Sequence, residues 1–121
     1  MVYVLADNII SPLGDTSEDN YQAVKAGKSA IRAYAPMTDG IPDGFIASLM
    51  SADFEDLVFR SAGEAIEASG INLADARSVF ILSSTKGAIE GLGKDADENL
   101  YLGETAQRIA TRLGFTTRPV V

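Results

Sequence analysis

The chain has 121 residues, carries 10 Lys and Arg against 17 Asp and Glu for a formal charge of −7, and contains no Cys, no His and no Trp. Without Cys and His it cannot build a cysteine nucleophile, a disulfide, a zinc-thiolate site or a Ser-His-Asp triad, so acid-base chemistry would fall to Asp, Glu, Lys or Tyr. The acidic balance argues against a nucleic-acid module, which needs clustered Lys and Arg to displace counterions from phosphates.

Val2-Tyr3-Val4-Leu5-Ala6 is a short apolar run rich in β-formers and predicts a buried strand ending at Asp7-Asn8. It has no basic flank and is too short for a signal peptide. No window approaches the roughly 20 apolar residues that span a bilayer. The expectation is a cytoplasmic protein without a membrane partner. Pro12 and Gly14 then break regular structure. Thr16 is placed to cap a helix over 17–26, with Glu18 and Asp19 in the first turn, where the helix dipole favours carboxylates, and Gly27 as its stop.

Between Lys28 and Met50 the periodicity fails, and Pro36, Gly40, Pro42 and Gly44 fall at turn spacing, which predicts a loop with one short hairpin. Phe54, Leu57, Val58, Ser61, Ala62, Ala65, Ile66 and Ser69 recur at helical spacing as one small-to-apolar stripe, with Glu55, Arg60, Glu64 and Glu67 off it. Gly70 followed by Ile71 predicts a Schellman-type end. Val79-Phe80-Ile81-Leu82 is continuous and apolar, as in a strand covered on both faces. A last helix on Leu102, Ala106, Ile109, Ala110 and Leu113 ends at Gly114-Phe115, and Pro119-Val120-Val121 begins a third β-like run. Alternating strands and helices predict an α/β architecture with a mostly parallel sheet.

The loop from Gly87 to Asp95 is not a phosphate-binding P-loop. It has five residues where that motif needs four, no Ser or Thr after Lys94, and Asp95 there instead. The first strand also lacks a dinucleotide fingerprint, so no cofactor is expected. Asp95, Asp97, Glu98 and Glu104 lack the regular ligand spacing of a calcium loop and read as a solvated helix start, with no metal expected. Ser83-Ser84-Thr85-Lys86-Gly87 follows the C-terminal end of a predicted strand, where α/β sheets bind ligands, which makes Thr85 and Lys86 candidate substrate contacts. Lys25, Lys28 and Arg32 form a basic patch suited to an acidic partner.

As an ordered set these segments resemble the opening of β-ketoacyl-acyl carrier protein synthases, condensing enzymes of the thiolase-like superfamily. The resemblance lies in Val4 to Gly14 with its Ser11-Pro12-Leu13-Gly14, in Ala26-Gly27-Lys28-Ser29, in Ala62 to Gly70, in Val79 to Gly87 and in Thr105 to Gly114. It implies that residues 1–121 are an N-terminal fragment of a ketosynthase domain with a partial thiolase-like fold. That family transfers an acyl group to a Cys and condenses it with malonyl-acyl carrier protein, assisted by two His.

The Cys of that family follows the strand that Pro119-Val120-Val121 resembles, and the His come later. No catalytic residue is therefore carried over, and the chain is expected to be inactive alone. The resemblance also implies docking of acyl carrier protein through the full-length enzyme. Self-association as a homodimer is expected because an open parallel sheet and the apolar C-terminal run leave edges to pair. It places Thr85 and Lys86 on the acyl-pocket loop, where an ammonium in place of the usual apolar side chain disfavours a long acyl chain. A stand-alone, non-catalytic binding or scaffold module of the same fold is the alternative. A small hydrolase using a carboxylate pair such as Glu90 and Asp95 is a third reading.

Overall fold

The computed structural model describes residues 1–36, 44–88 and 101–121. Among these residues five elements are formed: α1 (Ser17–Lys25), β1 (Arg32–Tyr34), β2 (Phe45–Ala47), α2 (Phe54–Ser69) and α3 (Leu102–Leu113). They fall into two compact units, one of Asn8–Ser51 and one combining Met1–Asp7 with Ala52–Val121.

In the smaller unit the Thr16 hydroxyl accepts from the Asp19 amide at 3.0 Å, which caps α1 where its side-chain chemistry placed the start. The helix closes with Gly27 at φ 70°, as Gly27 donates to Val24 and Lys28 to Ala23. Ahead of α1, Ser11 and Gly14 exchange backbone hydrogen bonds of 2.9 and 3.0 Å across a tight turn. The buried Asn20 holds that turn. Its amide nitrogen is 3.0, 2.9 and 2.8 Å from the carbonyls of Ile9, Gly14 and Thr16, while its side-chain oxygen accepts from the Ser11 hydroxyl. Gly14 is required by this packing, because a Cβ there would stand 2.5 Å from the Cβ of Asp19.

The short hairpin expected between Lys28 and Met50 is present. Arg32, Ala33 and Tyr34 pair antiparallel with Ala47, Ile46 and Phe45, and the rings of Tyr34 and Phe45 stack at 5.3 Å across the ladder.

In the larger unit α3 is the centre of packing. Thr105, Ala106, Ile109 and Ala110 are buried on one face, against Phe80 and Leu82 and against the Phe54, Val58 and Ala62 side of α2. The α2 stripe read from the sequence is the inward side, yet no α2 residue is fully buried. Ion pairs flank the two helices: Arg108 meets Glu55, and Arg112 reaches Asp56 at 2.8 Å while lying 3.8 Å above the Phe59 ring. These pairs are partly exposed, and their contribution is small beside the apolar contact.

The two glycine stops of this unit differ. Gly114, at φ 99°, donates to Thr111 and Phe115 donates to Ala110 at 2.9 Å, a complete Schellman motif whose aromatic follower packs 5.7 Å from the Phe80 ring. Gly70 makes only the simpler left-handed closure to Ile66, because the Ile71 amide turns to the Ser69 hydroxyl instead. The Schellman end expected at Gly70 is thus corrected.

The mostly parallel, thiolase-like α/β fold is also corrected. Among the described residues the sheet is the two-stranded antiparallel hairpin, and residues 2–6 form no strand and are largely exposed. Residues 79–82 and 119–121 meet in a single parallel bridge, Ile81 to Val120, with Leu82 donating to Val120 and Val120 to Phe80, each at 2.9 Å. Hydrophobic runs specify burial, but a parallel sheet needs neighbours on both edges and cover on both faces. Here Phe80 and Leu82 are covered by α3, whereas Val79 and Ile81 face outward uncovered.

Replacing Ile109 by Ala should lower unfolding free energy by about 2–4 kcal/mol in urea titration, the usual cost of emptying a packed core site. Asn20→Ala should cost about 1–3 kcal/mol by leaving the turn carbonyls short of a donor, and hydrogen exchange should show the loss around Ser11 to Gly14.

Candidate functional site

The connector between α2 and residues 79–82 is assembled from local side-chain hydrogen bonds. Asn72 accepts from the Ala74 amide at 3.1 Å and Asp75 from the Arg77 amide at 2.9 Å, while the Ser78 hydroxyl donates to the Asn72 carbonyl at 2.7 Å. The chain after α3 is pinned to the same connector, with the Thr116 hydroxyl donating to Ala74 and the Thr117 hydroxyl to Ser78. These anchors bring Val120 beside Ile81.

Asp75 also receives a forked contact from the Arg77 guanidinium, at 3.0 and 2.7 Å. The side-chain hydrogen bonds from Arg77, followed by its backbone amide, hold the Asp75 carboxyl below its ordinary value, and the same contact raises Arg77. The pair is solvent-facing and therefore marks a turn rather than a catalytic couple.

The loop following residues 79–82 carries the candidate substrate contacts. The Ser84 hydroxyl accepts from the Gly87 amide at 2.9 Å and from the Lys86 amide at 3.3 Å, forming a turn over the backbone. Thr85 and Lys86 project from it and are exposed. The structure places them together on one turn, at the end of the residues 79–82 segment as the sequence implied, and Leu102 of α3 approaches that turn at Gly87. Both side chains are exposed, and among the described residues no wall encloses them.

Lys25 ends α1, Lys28 lies in the turn after it and Arg32 opens β1, all exposed. Lys25 stands 5.6 Å above the Tyr21 ring. Glu104 lies in the first turn of α3, while Glu90, Asp95, Asp97 and Glu98 fall outside the described residues. Among the described residues no group of three His, Cys, Asp or Glu could hold a metal, and no helix is long and apolar enough to cross a membrane.

A shallow groove of about 330 Å³ lies between residues 3–6 and Ala65, Ile66, Ser69 and Ile71. Its Ser69 hydroxyl is already engaged, donating to Ile66 at 2.8 Å and accepting from Ile71. The groove thus offers apolar contact and few polar handles. Sequence reasoning missed it, because the groove needs the first segment to lie along α2 rather than inside a sheet. Comparison of the chain with protein-family models, curated proteins and solved structures gives no match.

Arg77→Ala should raise the Asp75 titration midpoint toward that of an ordinary carboxylate, read by side-chain carbonyl NMR between acid and neutral pH. Since the folded-state value is the lowered one, the pair's contribution is present above the unfolded value and fades as pH falls through the folded one.

Proposed function

We propose that this chain is a non-catalytic segment of a cytoplasmic 3-oxoacyl-[acyl-carrier-protein] synthase, supplying part of its framework and of its carrier-protein surface while the acyl-transferring Cys and the His residues come from elsewhere in that enzyme. The observation that carries the reading is the ordered series of motifs, from Ser11-Pro12-Leu13-Gly14 to the helix closing on Leu113-Gly114. Several of them sit at structural joints. The first forms the turn clamped by Asn20, Ala26-Gly27-Lys28 ends α1, and the Gly114 stop directs the chain back beside residues 79–82. A sequence with no Cys and no His is consistent with a share in such an enzyme that contains none of its chemistry.

In this reading Lys25, Lys28 and Arg32 face the acidic carrier protein, and Thr85 and Lys86 lie toward the acyl substrate. The uncovered Val79, Ile81 and Val120 favour a second reading, a stand-alone binding module, because uncovered apolar strands suit a protein partner.

The chain alone should not decarboxylate or condense malonyl-acyl carrier protein, and turnover above background would overturn the proposal. In NMR titrations with acyl carrier protein, resonances around the end of α1 should shift. Reversing Lys25, Lys28 and Arg32 to Glu should remove those shifts, because like charges replace complementary ones. Equal binding by the wild-type and reversed chains would count against the patch.

A further inference from the structure

Residues 79–82 and 119–121 pair through bonds that leave a defined edge. In a parallel bridge the Leu82 amide and the Phe80 carbonyl face Val120, so the amide and carbonyl of Ile81 point to the opposite side. The outer edge of residues 119–121 is blunted, because Pro119 has no N–H to offer a further strand. The edge through Ile81 has no such protection.

Residues 2–6 form the complement. They make no backbone hydrogen bond among the described residues, and Val2 and Val4 are 96% and 84% exposed. Every residue of that run is apolar, a composition suited to a strand covered on both faces. Within its own chain the run borders the groove on α2, and among the described residues no backbone hydrogen bond reaches the Ile81 amide or carbonyl.

We propose that the chain self-associates by reciprocal exchange, residues 2–6 of one copy adding as a strand to the Ile81 edge of a second copy. The surface available matches what such a pair needs. Val2, Tyr3, Val4, Leu5, Val79 and Ile81 are between 45% and 96% exposed. At about 150 Å² for a fully exposed large apolar residue, they present on the order of 650 Å² per copy, the lower end of one partner's share of a standard interface. No charged residue lies in residues 2–6, 79–82 or 119–121, so the exchange sets no like charges face to face despite the net −7 of each chain. Exchange in both directions closes the pair with two-fold symmetry, so each copy's residues 2–6 and each copy's Ile81 edge are used once and the same contact does not run on into an open-ended chain. It needs neither a carrier protein nor a catalytic residue, and so stands or falls apart from the condensing-enzyme reading.

The absence of Cys makes the test direct. Light scattering at tens of micromolar and near-physiological salt should give twice the 12.8 kDa chain mass. Mixing a Val4→Cys chain with an Ile81→Cys chain under mild oxidation should yield a disulfide-linked pair that neither variant forms alone. Ile81→Pro removes the outward amide and spares both bonds of the bridge, and it should weaken association by on the order of tenfold or more, with unchanged far-UV circular dichroism. The proposal is overturned by a monomeric wild-type chain, by a dimer whose Val4 and Ile81 positions do not cross-link between chains, or by a Val4→Cys, Ile81→Cys double variant whose disulfide closes within one chain.

Discussion

The larger unit depends on one helix face. Ala106 and Ala110 offer little more than a methyl group each, so neighbouring segments approach the α3 backbone closely, while Ile109 fills the space between them. Phe80 and Leu82 lie against this face from one side and the α2 stripe lies against it from another. The Schellman turn at Gly114 folds Phe115 back onto Phe80, which returns the chain toward the strand it bridges. Loss of contact at α3 would therefore release α2, residues 79–82 and the C-terminal run together.

That arrangement also explains what is left uncovered. A single helix can cover one side of residues 79–82, and side chains alternate along an extended backbone, so Phe80 and Leu82 point inward while Val79 and Ile81 point away. Val120 pairs with one hydrogen-bonding edge of this segment, and among the described residues the other edge carries no backbone bond. An apolar segment with one covered face and one open edge is the kind of surface that a protein partner covers. The smaller unit follows different rules. Its turn before α1 is held by the polar side chain of Asn20 rather than by an apolar core, and its hairpin by a stacked aromatic pair.

Much of the local structure was legible in the residues. Thr16 with Asp19, Gly27, the apolar stripe of α2 and the Leu102 to Leu113 periodicity each carry their own signal, because caps and helical faces are decided by neighbours within about one turn. The positions of Lys25, Lys28, Arg32, Thr85 and Lys86 on exposed ends and turns follow from the same local rules. The groove beside Ala65 and Ile66 was not legible, since it arises from two segments some sixty residues apart.

By itself, then, the sequence determined where helices start and stop, which face of each turns inward, and which chemistry the chain cannot perform. Tertiary structure decided the fate of the β-like runs. Residues 2–6 and 79–82 have equally apolar sequences, yet residues 79–82 gained α3 on one face and Val120 on one edge, while residues 2–6 remained unpaired among the described residues. A strand's hydrogen bonds lie between segments rather than within one, so its existence is settled by what the rest of the chain brings beside it.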